Sequence, residues 1–271
     1  MISDITFGQY YHGNSLLHKM DPRMKLILTF AMIVIIFVCK SFFSLALMVL
    51  FTAVAVLVSD VPVKMILKSV KPVFIILIFT AVLNVFYTKG GETYFEWWKI
   101  VITEKGVNTA IFTMVRIVAL VIISSLLTYT TTPTMLTDAM ERILSPLKVF
   151  HIKVNTLAMM MTLALRFIPT LISEIERIMN AQKARGADLE TGGLIERAKA
   201  LVPIFIPLMI SSFRRAYELA LAMTCRCYTG GDGRTRMKQM KLKFRDFAVM
   251  VFCMLTLAGV IVLNIYFEHV I

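Results

Sequence analysis

The 271 residues are 58% apolar with a mean hydropathy of +0.77, outside the range of water-soluble domains, and they predict a polytopic membrane protein. The net charge of +12 comes from cations interleaved with apolar runs, a pattern that fits the positive-inside rule and argues against nucleic acid as a partner. Cys39, Cys225, Cys227 and Cys253 form no second Cys/His cluster, so neither a disulfide nor a metal site is expected, and no cofactor is implied.

Residues 1–25 read as a short polar arm without the order of a cleaved signal, so the first span is expected to direct insertion. The arm ends in Asp21-Pro22-Arg23-Met24-Lys25, where proline can open a helix and the cations can sit at lipid headgroups. Uncharged runs follow at 26–39, 41–59, 72–88, 117–137 and 247–267, giving five candidate spans. The first has only 14 uncharged residues before Lys40, and a re-entrant hairpin over 26–59 is its alternative. Of the 29 cations, 24 fall in three alternate segments, 1–25, 60–71 and 131–245. The intervening loop, 89–105, balances three lysines against three glutamates and carries Trp97-Trp98 as an interfacial anchor. This asymmetry predicts a cytoplasmic N-terminus and an external C-terminus. The expected fold is all-α, with about five transmembrane helices and long amphipathic coupling helices. Its expected parts are a four-span membrane domain (1–130), a cytoplasmic or interfacial coupling domain (131–245) and a closing transmembrane helix (246–271).

Within 131–245, the uncharged runs 154–165 and 201–213 are 12 and 13 residues long, too short to span. Each continues into an amphipathic stretch. In the first, Ile168, Leu171, Ile175 and Ile178 keep helical spacing; in the second, Phe213, Tyr217 and Ala220 do so while Arg214 and Glu218 stand at i, i+4. Pro169 in one helix and Pro203 with Pro207 in the other are expected to bend them, and Gly192-Gly193 supplies the turn between. A shorter amphipathic helix is expected from Pro133 to near Ser145-Pro146.

The first helix ends in Ala181-Gln182-Lys183-Ala184-Arg185-Gly186, and 41 residues on the second ends in Ala222-Met223-Thr224-Cys225-Arg226-Cys227. Alone, Ala184-Arg185-Gly186 is an ordinary helix end, with a cation near the negative pole of the dipole and glycine at the left-handed cap position. Two such ends suit a partner with two sockets. Glycine takes the left-handed conformation at little cost, whereas Cys227 carries a Cβ. The second helix is therefore expected to run about three residues beyond Arg226, to Tyr228 or Thr229, with Gly230-Gly231 as its cap, so that Arg226 projects from a helix side.

These two ends, with Asp21-Pro22-Arg23-Met24-Lys25 and Leu165-Arg166-Phe167-Ile168-Pro169 followed by Glu174, resemble the transmembrane T component of energy-coupling factor transporters, ABC-type importers of vitamins and metal ions. The resemblance runs nearly end to end. It departs at Cys225-Arg226-Cys227, where the family usually shows Ala-Arg-Gly. It implies that the two arginine tips dock into grooves on a pair of cytosolic ABC ATPases. It also implies that the amphipathic helices cradle a separate substrate-binding S component. Arg116, Arg166, Pro169, Glu174, Pro203 and Pro207 are expected to be structural or coupling residues.

Arg116, at or inside the fourth span, is an intramembrane cation that Thr113 or backbone carbonyls could satisfy. The run Gly230-Gly231-Asp232-Gly233-Arg234-Thr235 lacks the phosphate-loop pattern and reads as a linker. Two alternatives to a non-catalytic coupling subunit are a secondary transporter or channel and a lipid-acting membrane enzyme. The first would use intramembrane Asp or Glu, which none of the five uncharged runs holds, and the second would need acid–base groups at a recognisable spacing.

Overall fold

A computed structural model of the protein describes residues 10–88, 90, 93–97, 100–150, 153–187, 193–228, 230 and 242–267. The chain divides into two units, one of Gly8–Ala139 with Lys238–Ile271, the other containing Met140–Met237.

In the first unit, α1 (Pro22–Val38) starts where the Asp21 carboxylate accepts the Arg23 N–H at 3.0 Å and Pro22 presets the backbone. It stops at Cys39, whose backbone is extended. After Lys40 and Ser41, α2 (Phe42–Val58) opens with Ser44 Oγ accepting the Ser41 N–H at 3.2 Å. The chain continues through α3 (Val63–Val70), a 3-10 turn at Lys71–Val73, and α4 (Phe74–Tyr87). Helix α5 (Glu104–Thr130) is capped by Thr103 and followed by α6 (Pro133–Ile143). The last described helix is α9 (Phe244–Tyr266). Helices α1 and α2 each pack on α5 and α9 rather than on each other, so the four form a ring.

Side-chain bonds tie this ring at both ends. At one end, Lys25 Nζ donates to the carbonyl of Thr130 at 2.9 Å, where α5 finishes, and more weakly to the His18 carbonyl and Thr131 Oγ1 at 3.4 Å. Beside it, Asp246 accepts the Asp21 N–H at 3.0 Å and the Lys243 N–H at 2.8 Å, joining the starts of α1 and α9. At the other end, Asn264 of α9 donates to the Val38 carbonyl at 2.8 Å and accepts the Lys40 N–H at 3.2 Å. There, Arg116 of α5 donates to the Cys39 carbonyl. These ties make α1 parallel to α9 and antiparallel to α5. Lys25 to Cys39 and Arg116 to Thr130 are both 14 residues, about 21 Å of helix, so the two ties match in length. Between them, Ile36, Met48, Phe112 and Val260 are fully buried.

The helical fold is as expected, apart from the loop at 89–105. There β1 (Thr93–Trp97) and β2 (Ile100–Thr103) form an antiparallel hairpin with Trp97 opposite Ile100. Trp98 lies outside the described residues. Aromatic and β-branched residues in Thr93-Tyr-Phe-Glu-Trp and Ile-Val-Ile-Thr carry the strand preference. Four helical stretches have the length and composition to cross a bilayer: Val63–Tyr87, Glu104–Thr130, Val154–Ala184 and Phe244–Tyr266; α2 is a shorter apolar helix. The expected first span is the 17-residue α1, about 25 Å, short of the ~30 Å hydrocarbon layer. The stretch Val154–Ala184 reaches spanning length because the helix continues past Leu165 and through Arg166, which a count of uncharged residues ignores.

Candidate coupling site

The second unit is dominated by α7 (Val154–Ala184) and α8 (Leu194–Cys225), preceded by a 3-10 stretch at Ser145–Phe150. Both helices run through their prolines, Pro169 in α7 and Pro203 and Pro207 in α8. Gly193 is the N-cap of α8, its N–H bonded to Glu196 at 2.9 Å; Gly192 lies outside the described residues.

Two cross-links fix how the helices pass. Glu174 Oε2 accepts from Arg215 Nη2 at 2.9 Å, and also from Arg177 of its own helix at 2.6 Å. Gln182 Nε2 donates to the Pro203 carbonyl at 3.4 Å. Residue 174 pairs with 215 and 182 with 203, so the helices are antiparallel. The i, i+4 pair expected between Arg214 and Glu218 does not form; both line a polar recess with Glu174, Arg177 and Arg215, where Arg215 supplies the cross-helix charge. Arg166 and Pro169 are exposed on α7, and Pro207 lines the recess.

The two helix ends share one geometry. In α7, the cap residue Arg185 has φ −87° and ψ 8°, and Gly186 follows at φ +83°. The Gly186 N–H bonds to the Lys183 carbonyl and the Ala187 N–H to the Gln182 carbonyl, both at 3.0 Å. In α8, the cap residue Arg226 has φ −93° and ψ 19°, and Cys227 follows at φ +56°. The Cys227 N–H bonds to the Thr224 carbonyl at 2.9 Å and the Tyr228 N–H to the Met223 carbonyl at 3.0 Å. Both are Schellman caps, with the arginine as the last half-helical residue and exposed.

The expected extension of the second helix to Tyr228 or Thr229 is therefore wrong, and so is the expected asymmetry between the arginines. Helix α8 ends at Cys225, and Gly230-Gly231 is not its cap. Cys227 enters the left-handed region at a cost of roughly 1 kcal/mol, which the two cap hydrogen bonds offset. Thr229 and Gly231 lie outside the described residues.

Eleven residues separate Glu174 from Arg185, and eleven separate Arg215 from Arg226. The Glu174–Arg215 ion pair is thus the midpoint of a hairpin with two equal arms, each about 16 Å along its helix, and with an arginine at each far end. Arg215 is the residue that the sequence reading missed. Its signal was the mirrored spacing, legible only once the two helix ends were aligned.

Arg116 has a structural explanation in this geometry. It donates to the Cys39 carbonyl at the C-cap of α1, with its guanidinium carbon 4.7 Å from the centre of the Phe112 ring. Among the described residues, no group of three or more His, Cys, Asp or Glu side chains is arranged to hold a metal ion.

The family described as cobalt transport protein (CbiQ) matches residues 13–238. Among similar proteins, an energy-coupling factor transporter transmembrane protein EcfT of Ruminiclostridium cellulolyticum is 53% identical over 251 residues, covering 93% of either chain. One of Clostridium kluyveri is 51% identical over 265 residues, covering 97% of this chain and 98% of its own. A third, from Brevibacillus brevis, is 48% identical over 251 residues, 93% of this chain and 95% of its own. With a matched region that takes in both arginine caps, the Glu174 crossing and the Asp21–Lys25 knot, the chain belongs to the family of energy-coupling factor transporter transmembrane proteins.

Proposed function

We propose that this chain is the non-catalytic coupling subunit of its transporter, carrying ATP-driven motion of two cytosolic ABC ATPases to a substrate-binding S component for uptake of a vitamin or metal ion. The observation that carries this reading is the pair of matched arginine caps on equal arms about one ion pair. An ATPase dimer offers two sockets related by a two-fold axis, and a pair of equal arms meets both in the same way. Ala184, Arg185 and Gly186 form one plug, and Cys225, Arg226 and Cys227 the other.

Helix α8 also exposes Val202, Ile206, Ile210, Phe213, Tyr217 and Leu221 at spacings of three and four, an apolar stripe that suits a membrane partner or lipid. In this reading, residues 1–130 are the membrane anchor, 131–245 the coupling region and 246–271 a closing span. The N-terminus is cytoplasmic and the C-terminus outside, as the distribution of 24 cations over alternate segments suggests. With native cysteines replaced, a cysteine at Gly90 should react with an impermeant thiol reagent from outside, and one at Gly192 only from inside. The direct test of partners is a mild-detergent pull-down of the tagged chain with mass spectrometry. Two ABC ATPases and a small membrane protein are expected; a chain that purifies alone, or with unrelated partners, overturns the proposal.

A further inference from the structure

The ring of α1, α2, α5 and α9 is packed solid in one half and hollow in the other. The half toward Arg116 and Asn264 is filled by Ile36, Met48, Phe112 and Val260. The half toward Asp21 holds a partly open cavity of about 220 Å³, walled by Leu28 and Met32 of α1, Ala55 of α2, Leu126 of α5, and Phe252 and Cys253 of α9. An apolar cavity of ~150 Å³ in a protein core stays dry and takes up benzene. This one is larger, and its lining is almost wholly carbon.

We propose that this cavity is a binding site for one acyl chain of a membrane phospholipid. Three observations select that occupant. The ring contains helices long and apolar enough to cross a bilayer, so hydrocarbon is the medium available beside it. The cavity is partly open, with Leu16, Val54, Val58 and Phe252, each 39–53% exposed, at its rim, so it is reachable from the surface. Lys25, the only charged group among the described lining residues, already directs its ammonium to the Thr130, Thr131 and His18 oxygens, so these residues present no spare cation for a carboxylate. The ligand is therefore a neutral chain whose headgroup stays outside. Leu16, Leu17 and Met20 of the N-terminal arm form the end beside Lys25. Attraction inside the site comes from dispersion contacts that an empty void would forfeit, because water is not what the chain leaves.

The test uses the full chain, with its co-purifying partners, in vesicles containing a phospholipid that carries a diazirine midway along one acyl chain. After illumination, the crosslinked peptides are mapped. Labelling at Met32, Ala55, Leu126 or Cys253 is expected in addition to the outward faces. Ala55→Leu and, from the opposite wall, Thr29→Leu should each remove the interior labels while leaving labels on exposed residues such as Phe30 and Phe79 unchanged. Wild-type protein labelled only on its outward faces overturns the proposal whether or not either variant folds. Interior labelling that persists in a folded, cavity-filled variant does so too.

Discussion

The two units are held together in different ways. The ring of α1, α2, α5 and α9 has buried side chains in its middle, and polar ties join α1, α5 and α9 at both ends, so these three are fixed along their length. The hairpin of α7 and α8 has long exposed helices joined by the Glu174–Arg215 pair and the weaker Gln182–Pro203 contact. Helices packed and tied at both ends move as one body, whereas two exposed arms joined by few polar contacts are freer to change angle. The first arrangement suits an anchor and the second a lever.

The largest effect should come from the anchor's polar knot. Lys25 is 5% exposed and holds the Thr130 carbonyl close to the buried Asp21 and Asp246 carboxylates, so Lys25→Met leaves that carbonyl unpaired and takes a nearby cation from both carboxylates. A loss of roughly 1–3 kcal/mol is expected in detergent unfolding experiments. A loss below about 1 kcal/mol would mean that the knot is not what fixes α1 against α5 and α9.

The crossing point of the lever should show a functional change. With spin labels at Lys183 and Thr224, the native hairpin should give one distance population of roughly 30 Å or less, two arms at 1.5 Å per residue. Glu174→Arg should broaden it and reduce coupled transport, and adding Arg215→Glu should recover both in part. A distance distribution that is unchanged in Glu174→Arg would remove the ion pair from its role as pivot.

The smallest effect belongs to a single cap. Cys227→Gly should stabilise the helix end by about 1 kcal/mol, because glycine adopts the positive φ without a Cβ clash. Partner binding should be unaltered. If Cys227→Gly instead weakens ATPase co-purification, the cysteine side chain is part of the contact and the two caps are not equivalent plugs.

Much of this was legible in the sequence where one local rule acted alone. Pro22 after Asp21 set the start of α1, apolar runs marked α2, α4, α5 and α9, and Gly186 marked the end of α7. The misreadings occurred where two local preferences competed or where the deciding partner was distant. Cys227 disfavours positive φ, yet two backbone hydrogen bonds hold it there. Arg214 and Glu218 had the spacing for an ion pair, but Arg215 reaches Glu174 from across the hairpin, 41 residues away. The tie between Lys25 and Thr130 spans 105 residues and leaves no periodic trace. The hairpin at 93–103 carried a real strand signal that a charge-balanced loop reading passed over.

The central claim is that the two arginine caps together hold the ATPases, and the double substitution Arg185→Ala with Arg226→Ala tests it most directly. Removing one partner of a buried interfacial charge pair costs about 2–5 kcal/mol, and with two plugs on one dimer a single loss is buffered by avidity while a double loss is not. Each single variant should therefore retain part of the ATPase co-purification, and the double variant should lose it while still accumulating in the membrane at the wild-type level. Full ATPase binding and transport in the double variant would contradict the account.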